Sequence, residues 1–496
     1  MKQVLIPVMM MVLASAGAGP VAAEEEMHHH GVPEHLGTAH FATSCAPAVQ
    51  ADFDRALALL HSFAYDAADM GFADVLARDP KCAVAHWGRA MTHYHQLWDV
   101  PAGAGLAAGI AEIELATGLG GSPREQALIG ALKTYYDDAA TVPAAARAMR
   151  YSDAMAKVAQ AFPGDDEVAT FYALSLIATA SPGDKTHARQ KHAADILEPI
   201  WARQPDHPGV PHYLIHAYDS AELAPRGLKA ARAYARIAPS APHALHMPSH
   251  IFTRLGLWDD SIASNIAARD AALMQHDTGE ALHAMDYLTY AYLQEGRYPD
   301  AAKVVADLKA MDGLNGAGFK IGYAGNAMPV RLAVETRDWA AAAQLTPLSG
   351  STPQVAALVW WARALGKARG SGAVSPDADI AQLQACHDAL AASGDTYWAA
   401  QTDALLQSAK AWAAAAKGDN DAAVAELTAA ADEEDGLEKL PLTPGPIVPA
   451  REQLGELLLK LNRPQEALKA FDAALVLAPG RHGAVAGQAE AKRRVG

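Results

Sequence analysis

Eight histidine and aspartate residues in three segments have the types and spacing of a metal site. They are His212, His216, Asp219, His243, His246, His250, His283 and Asp286. The intervals within each segment are three, four or seven residues, so each set shares one face of a helix. Imidazole and carboxylate are ligands that zinc, copper and iron bind in proteins, and we expect one of these divalent ions here.

Two other interpretations of these histidines stay open. Together with Arg254, they could donate hydrogen bonds to an anion or to a peptide carboxylate. Each could also be an ordinary groove or core residue, and Pro248 disturbs the helix that carries the middle set. The sequence contains no HExxH, P-loop or GxSxG motif, so it identifies no catalytic residue.

Helix-turn-helix repeats are the elements that must position these side chains. Gly256 and Gly296 mark the turns of two consecutive repeats. Counting back from each turn, polar residues occupy the same three repeat positions. The two triplets are His243, His246 and His250, and His283, Asp286 and Tyr290. Because these positions face the concave groove when helical hairpins stack, we expect the histidines to converge on one patch of a concave surface.

The last repeat of the chain is the clearest. Its characteristic small and aromatic residues are Leu454, Gly455, Ala467, Phe471, Ala474 and Pro479. This spacing resembles that of tetratricopeptide-repeat (TPR) proteins, and weaker copies extend the resemblance over most of the chain. The resemblance implies an all-α, right-handed superhelical solenoid of helix-turn-helix hairpins. No run of alternating β-branched residues predicts a strand.

A narrower resemblance concerns the compartment. The stretches around His86, from His212 to Asp219 and from His246 to Ile251 are similar to a group of secreted, His-rich bacterial TPR proteins. This resemblance implies a fold and a location but no activity. Residues 1–23 also have the positive start, apolar run and small cleavage residues of a signal peptide. We therefore expect a periplasmic or secreted protein, in which Cys45 and Cys82 could form a disulfide.

The sequence divides into four predicted regions. The signal peptide of residues 1–23 precedes a flexible acidic and His-rich segment, residues 24–48. A TPR-like solenoid with the His-lined groove follows at 49–312, and a second TPR-like solenoid occupies 313–496. The net charge of −16 argues against a nucleic-acid partner, which requires a basic surface. No apolar run is long enough to span a membrane stably.

These features predict a binding protein that presents its groove to a protein or peptide partner. The same groove is expected to hold a divalent metal ion, which would be zinc, copper or iron. The alternative is a metal-dependent enzyme, a mononuclear oxygenase or hydrolase with histidine and carboxylate ligands on a TPR scaffold. Fold frequency favours the binding protein, although a fold alone does not determine function.

Overall fold

Antiparallel pairs of α-helices, packed one after another, form the TPR-like solenoid. The computed structural model describes residues 34–372 and 374–496, and every regular element within these ranges is helical. This confirms the predicted all-α fold. The predicted signal peptide, and the part of the predicted flexible segment up to residue 33, lie outside the described residues.

The helices are numbered α1 to α24 in chain order, after a short 3₁₀ turn at Pro47–Val49. They are α1 Gln50–His61, α2 Tyr65–Arg78, α3 Ala83–Thr92, α4 Gly103–Leu119, α5 Pro123–Tyr136, α6 Ala144–Ala161, α7 Asp166–Ala178, α8 Ala188–Arg203, α9 Gly209–Tyr218, α10 Ala224–Ile237, α11 Pro242–His246, α12 Pro248–Arg254, α13 Trp258–Met274, α14 Thr278–Gln294, α15 Tyr298–Lys309, α16 Phe319–Glu335, α17 Trp339–Ala342, α18 Pro353–Arg369, α19 Asp377–Ser393, α20 Thr396–Lys417, α21 Asn420–Asp435, α22 Ala450–Lys460, α23 Pro464–Leu477 and α24 His482–Val495. None of the described helices is both long and apolar enough to cross a membrane.

Local sequence signals fix the ends of these helices. At the start of α5, Ser122 and Glu125 form a reciprocal capping box with each other's backbone. The Asp277 side chain likewise accepts from the Glu280 amide and caps α14. After α12, Gly256 adopts a φ of +68°, and a Cβ there would lie 2.6 Å from the Pro479 carbonyl oxygen. Glycine is required at this turn for both reasons.

Small residues let adjacent helices approach closely. A Cβ at Gly88 of α3 would lie 2.6 Å from the Phe72 ring of α2. In the last repeat, a Cβ at Gly455 of α22 would lie 2.7 Å from the Phe471 ring of α23. The predicted pairing of small and aromatic positions therefore corresponds to glycine facing a phenylalanine ring across a helix interface.

The solenoid winds so tightly that repeats distant in sequence touch. His61 at the end of α1 lies with its Nδ1 3.0 Å from the Tyr213 hydroxyl of α9. Further along, the Trp258 indole of α13 donates to the Gly480 carbonyl just before α24, at 3.1 Å. The predicted open groove is consequently an enclosed interior in the region of the histidines.

A segment without helical structure crosses this interior. Residues 437–449, the inner segment, connect α21 to α22. The Tyr287 hydroxyl of α14 donates to the Thr443 carbonyl at 2.9 Å. The Arg331 guanidinium of α16 donates to the Gly445 carbonyl at 3.2 Å, and the Lys439 ammonium lies 2.7 Å from Asp219. The chain itself therefore fills part of the concave face.

The residues before α1 pack against the solenoid. Phe41 is fully buried and stacks on Trp87, with 6.4 Å between ring centroids. The chain also forms the expected disulfide between Cys45 and Cys82, which ties this region to the start of α3. Near the predicted boundary at residues 312 and 313, one hydrophobic cluster contains residues from both sides, including Leu308 and Met328.

Candidate metal centre

Six buried histidines form two groups of three. In triad A, the Nε2 atom of His212 lies 3.1 Å from Nε2 of His216 and 3.2 Å from Nε2 of His243. In triad B, Nε2 of His246 lies 3.0 Å from Nε2 of His250, and the His283 ring packs 4.2 Å from the His246 ring. Within each triad, one nitrogen from every ring lies within 4.8 Å of the others.

Four helices from consecutive repeats supply the triads. The helix α9 carries His212 and His216, α11 carries His243 and His246, α12 carries His250 and α14 carries His283. Pro248 divides α11 from α12 as its missing amide requires. Met247 between them nevertheless keeps helical dihedral angles, φ −52° and ψ −36°. The rings of His246 and His250 therefore remain on the same side of the chain.

Burial keeps five of the six imidazoles neutral. The six residues are at most 7% exposed. Desolvation, followed by the repulsion of neighbouring rings, holds the pKa of His212, His216, His246 and His283 well below the usual value. For His250, desolvation outweighs the attraction of Asp219 and lowers the pKa to about 4. Neutral imidazole is the form that binds a metal ion.

Oxygen atoms accept from the Nδ1 atom of four of these rings. Nδ1 of His212 donates to the His61 carbonyl at 2.6 Å, and Nδ1 of His243 donates to the Glu280 carboxylate at 3.2 Å. A carbonyl or carboxylate can only accept, so Nδ1 carries a proton in both rings. Because the pKa of His212 is held low, its Nε2 is left with a lone pair, which faces His216 and His243.

The same arrangement occurs in triad B. Nδ1 of His250 donates to Asp219 at 2.9 Å, and Nδ1 of His246 donates to Oδ1 of Asn265 at 2.7 Å. The Asn265 amide donates in turn to the Ser261 carbonyl at 2.8 Å, which orients its oxygen toward His246. Hydrogen bonds of this kind, on the far nitrogen of an imidazole, are typical of metal-binding histidines.

The two acidic partners are themselves charge-compensated. Burial raises the pKa of Asp219, but Lys439 and Arg254 outweigh that effect and hold it well below its usual value. Glu280 behaves in the same way, because Lys320 and His243 outweigh the effect of burial on its pKa. Both carboxylates are therefore ionised acceptors for a histidine Nδ1.

The structure separates the two predicted aspartate ligands from the imidazole nitrogens that face each other. Asp219 contacts Nδ1 of His250, on the far side of the ring from triad B. Asp286 forms a fully buried ion pair with Arg331 at 2.8 Å. The arrangement thus brings together the six predicted histidines, while Asp219 positions one of them and Asp286 serves a separate ion pair.

The triads are adjacent, and two cavities reach them. The rings of His216 and His250 lie 5.9 Å apart, and those of His243 and His246 lie 6.2 Å apart. A cavity of about 320 Å³ is bounded in part by His216, and another of about 590 Å³ by His243. Trp98 contributes to the walls of both cavities.

A third buried cluster has a structural role. Both nitrogens of His61 are hydrogen-bonded, Nδ1 with Tyr213 and Nε2 with Glu167. His207 is equally satisfied, because its Nε2 contacts Glu167 and its Nδ1 accepts from the Gly209 amide. No nitrogen of this cluster is free for a ligand, so it ties α1 to α7 and α9.

No protein-family model matches this sequence, and no curated protein is similar enough to match it. Among solved structures, the chain is similar to a chain of the APC/C hetero-tetramer Cut9–Hcn1, with 12% identity over 89% of this chain and 76% of that chain and a TM-score of 0.39. It is also similar to a monomeric IFIT1 mutant with Gppp-AAAA, with 11% identity over 83% of this chain and 90% of that chain and a TM-score of 0.38. Likeness at this level carries no argument about function.

Proposed function

We propose that the protein binds two metal ions inside its solenoid, one at the Nε2 atoms of each histidine triad. The observation that supports this best is the arrangement of His246 and His250, whose Nδ1 protons are directed at Asn265 and Asp219. Their Nε2 atoms, both without a proton, face each other at 3.0 Å. Two lone pairs at that distance repel each other, whereas a cation that both nitrogens coordinate attracts both lone pairs.

Copper is the ion that this ligand set favours. Each triad offers three imidazole rings, without a thiolate or a carboxylate at the converging atoms. The affinity of nitrogen ligands for divalent metals is greatest for copper, whereas mononuclear iron sites commonly add a carboxylate. Zinc, which also binds three histidines in some enzymes, is the second choice.

Three protein ligands per ion favour an enzyme over a purely structural metal site. Structural zinc sites are closed by four protein ligands, whereas catalytic ions keep a position open for water or substrate. The cavities bounded by His216 and His243 provide space beside both triads. The proposed enzyme therefore has a dinuclear, all-histidine centre instead of a mononuclear site with a carboxylate ligand.

A periplasmic or secreted location remains part of this proposal. The disulfide between Cys45 and Cys82 supports it, because such bonds persist mainly in oxidising compartments. Membership of the secreted, His-rich group of TPR proteins is likewise a proposal. A protein or peptide partner also remains a proposal, but the inner segment occupies part of the groove, so the partner would bind another surface.

Metal analysis of untagged, full-length protein tests the proposal. After loading with copper or zinc and removal of free ions by gel filtration, we expect two equivalents per chain. The His212→Asn, His243→Asn variant should retain about one equivalent, and a His192→Gln control on the surface of α8 should retain two. Replacing His28, His29 and His30 with serine removes weak binding by the N-terminal run. Less than half an equivalent in the loaded wild-type protein would refute the proposed function.

A further inference from the structure

The cavity of about 320 Å³ beside triad A is called here the side cavity. Several of the residues that line it have buried polar atoms without a hydrogen-bond partner among the described residues. Five such atoms belong to residues that line it. They are Gln96 Oε1, Trp98 Nε1, His187 Nδ1, Gln190 Oε1 and His216 Nδ1. Each is buried and lacks a hydrogen-bond partner among the described residues. Buried polar groups are normally paired, so this concentration indicates a ligand that pairs with them.

His187 gives the strongest indication. Its side chain is only 4% exposed, and its Nε2 has no carboxylate closer than Glu222 at 3.8 Å and Glu438 at 4.0 Å. Its backbone has a φ of +51°, which is uncommon for a residue with a side chain. Backbone conformations of this kind cluster at ligand-binding sites, and here one accompanies a buried imidazole whose Nδ1 has no partner among the described residues.

Part of the wall is aromatic. The Tyr94 and Tyr135 rings stack with their centroids 3.7 Å apart. Trp98 lies between this wall and the histidines, with its ring edge-on to His243 at 5.5 Å and to His283 at 4.9 Å. Flat apolar walls of this kind suit a planar ring, which gains by stacking or edge contact.

The unpaired atoms specify the polar groups of the ligand. The glutamine oxygens require donors, and the Trp98 indole requires an acceptor. A hydroxyl group is both donor and acceptor, so it also satisfies a glutamine side chain in the alternative amide orientation. A cavity of this size holds one ring with a few substituents.

We propose that the side cavity binds a small hydroxylated aromatic compound, a phenol or catechol, and holds it beside triad A. His216 belongs both to the side cavity and to triad A, so the bound compound would be the substrate of the metal ion at triad A. Only this role as a substrate rests on the proposed metal centre. The binding itself depends on Gln96, Gln190, His187 and the aromatic wall.

Calorimetric titration of metal-free, full-length protein with catechol tests this inference. We expect a dissociation constant of roughly 10–100 µM, a range set by the small number of ligand atoms. Toluene, which has no hydroxyl group, should bind at least about tenfold more weakly. The Gln96→Leu and Gln190→Leu variants should each weaken catechol binding by about tenfold, and Gln382→Leu, at the exposed surface of α19, should leave it unchanged.

The outcomes separate the two proposals. Catechol binding to the metal-free protein, with loss in both glutamine variants, supports the side cavity whether or not metal loading succeeds. No binding at 10 mM (about a hundredfold above the expected range) would mean that the cavity holds only water, and it would overturn the inference. Undiminished binding in two folded glutamine variants would place the ligand elsewhere and overturn it equally. Neither result bears on the metal content of the histidine triads.

Discussion

The orientation of each imidazole depends on the oxygen atom at its Nδ1. The sequence predicts the six histidines because their spacing is helical, but it predicts these partners unevenly. Glu280 precedes His283 by three residues on α14, so a search along the same helix face finds it. Asn265 and the His61 carbonyl come from other helices, and only the packing of the repeats brings them to His246 and His212.

Removing one such oxygen should weaken metal binding without removing a ligand. The Asn265→Leu variant leaves Nδ1 of His246 without its acceptor, and we expect a 10–100-fold loss of metal affinity. Asn265→Asp keeps an oxygen at this position and should retain most of the affinity. Competition with a chromophoric chelator measures both values. Equal affinities for the leucine variant and the wild-type protein would show that this hydrogen bond does not position the ring.

The buried histidines should make the metal-free protein sensitive to acid. The pKa of His250 is lowered to about 4 in the fold, while an unfolded chain titrates near 6.5. Between these values only the unfolded state binds the proton, so the free energy of unfolding falls as the pH drops from about 6.5 to about 4. The contribution of His250 is on the order of 3 kcal/mol, and His212, His216, His246 and His283 act in the same direction.

Thermal unfolding of the metal-free protein between pH 4.5 and 7.5 measures this dependence. The melting temperature should fall steadily below pH 6.5, and the slope should be smaller in a His250→Asn variant. The His192→Gln surface variant should follow the wild-type curve. A melting temperature that stays constant across this range would contradict the neutral, buried state of the triads.

At the scale of the helices, the small and aromatic positions of the repeats were predictable, and the inner segment was not. Gly455 and Phe471 occupy their expected positions, and a glycine also faces a phenylalanine ring between successive repeats, where Gly88 of α3 contacts Phe72 of α2. The proline-rich stretch of residues 440–449 predicts only an interruption. The path of the inner segment depends on contacts with side chains far away in the sequence, such as Tyr287 and Asp219, which lie 156 and 220 residues from their partners. Contacts of that sequence separation leave no local pattern.

Adding a single methyl group tests the close helix approach. We expect Gly88→Ala to lower the free energy of unfolding by about 1–3 kcal/mol, because the new Cβ overlaps the Phe72 ring. Gly118→Ala is a matched control, since no atom lies within 4 Å of the corresponding position in α4. This control should raise stability by up to about 1 kcal/mol. Similar effects of both substitutions in denaturant unfolding would argue against the described packing of α2 on α3.

At the scale of the whole molecule, tight winding converts a groove into an interior. The sequence predicts a concave surface lined with histidines, and their exposure of at most 7% shows that the surface is closed around them. The closing contacts involve Trp258 with the turn before α24, and His61 with α9. The pitch of a solenoid results from small rotations at every repeat, which an individual repeat motif does not encode.

Enclosure also explains how neutral imidazoles can face one another so closely. The rings are at most 7% exposed, so charge beside them must be balanced by fixed groups or by bound ions. Lys439, Arg254 and Lys320 already compensate Asp219 and Glu280. The six histidine rings provide nitrogen ligands in the remaining space. The whole fold therefore acts as the shell of the proposed metal centre.

Anomalous diffraction from crystals of the copper-loaded protein would locate the bound ions. We predict two peaks at the copper edge, one inside each triad. Each peak should lie about 2.0–2.1 Å from three imidazole nitrogens, the distance usual for divalent metal–imidazole bonds. Loaded crystals with no peak in either triad, or with copper only at surface histidines, would show that the triads are not metal sites.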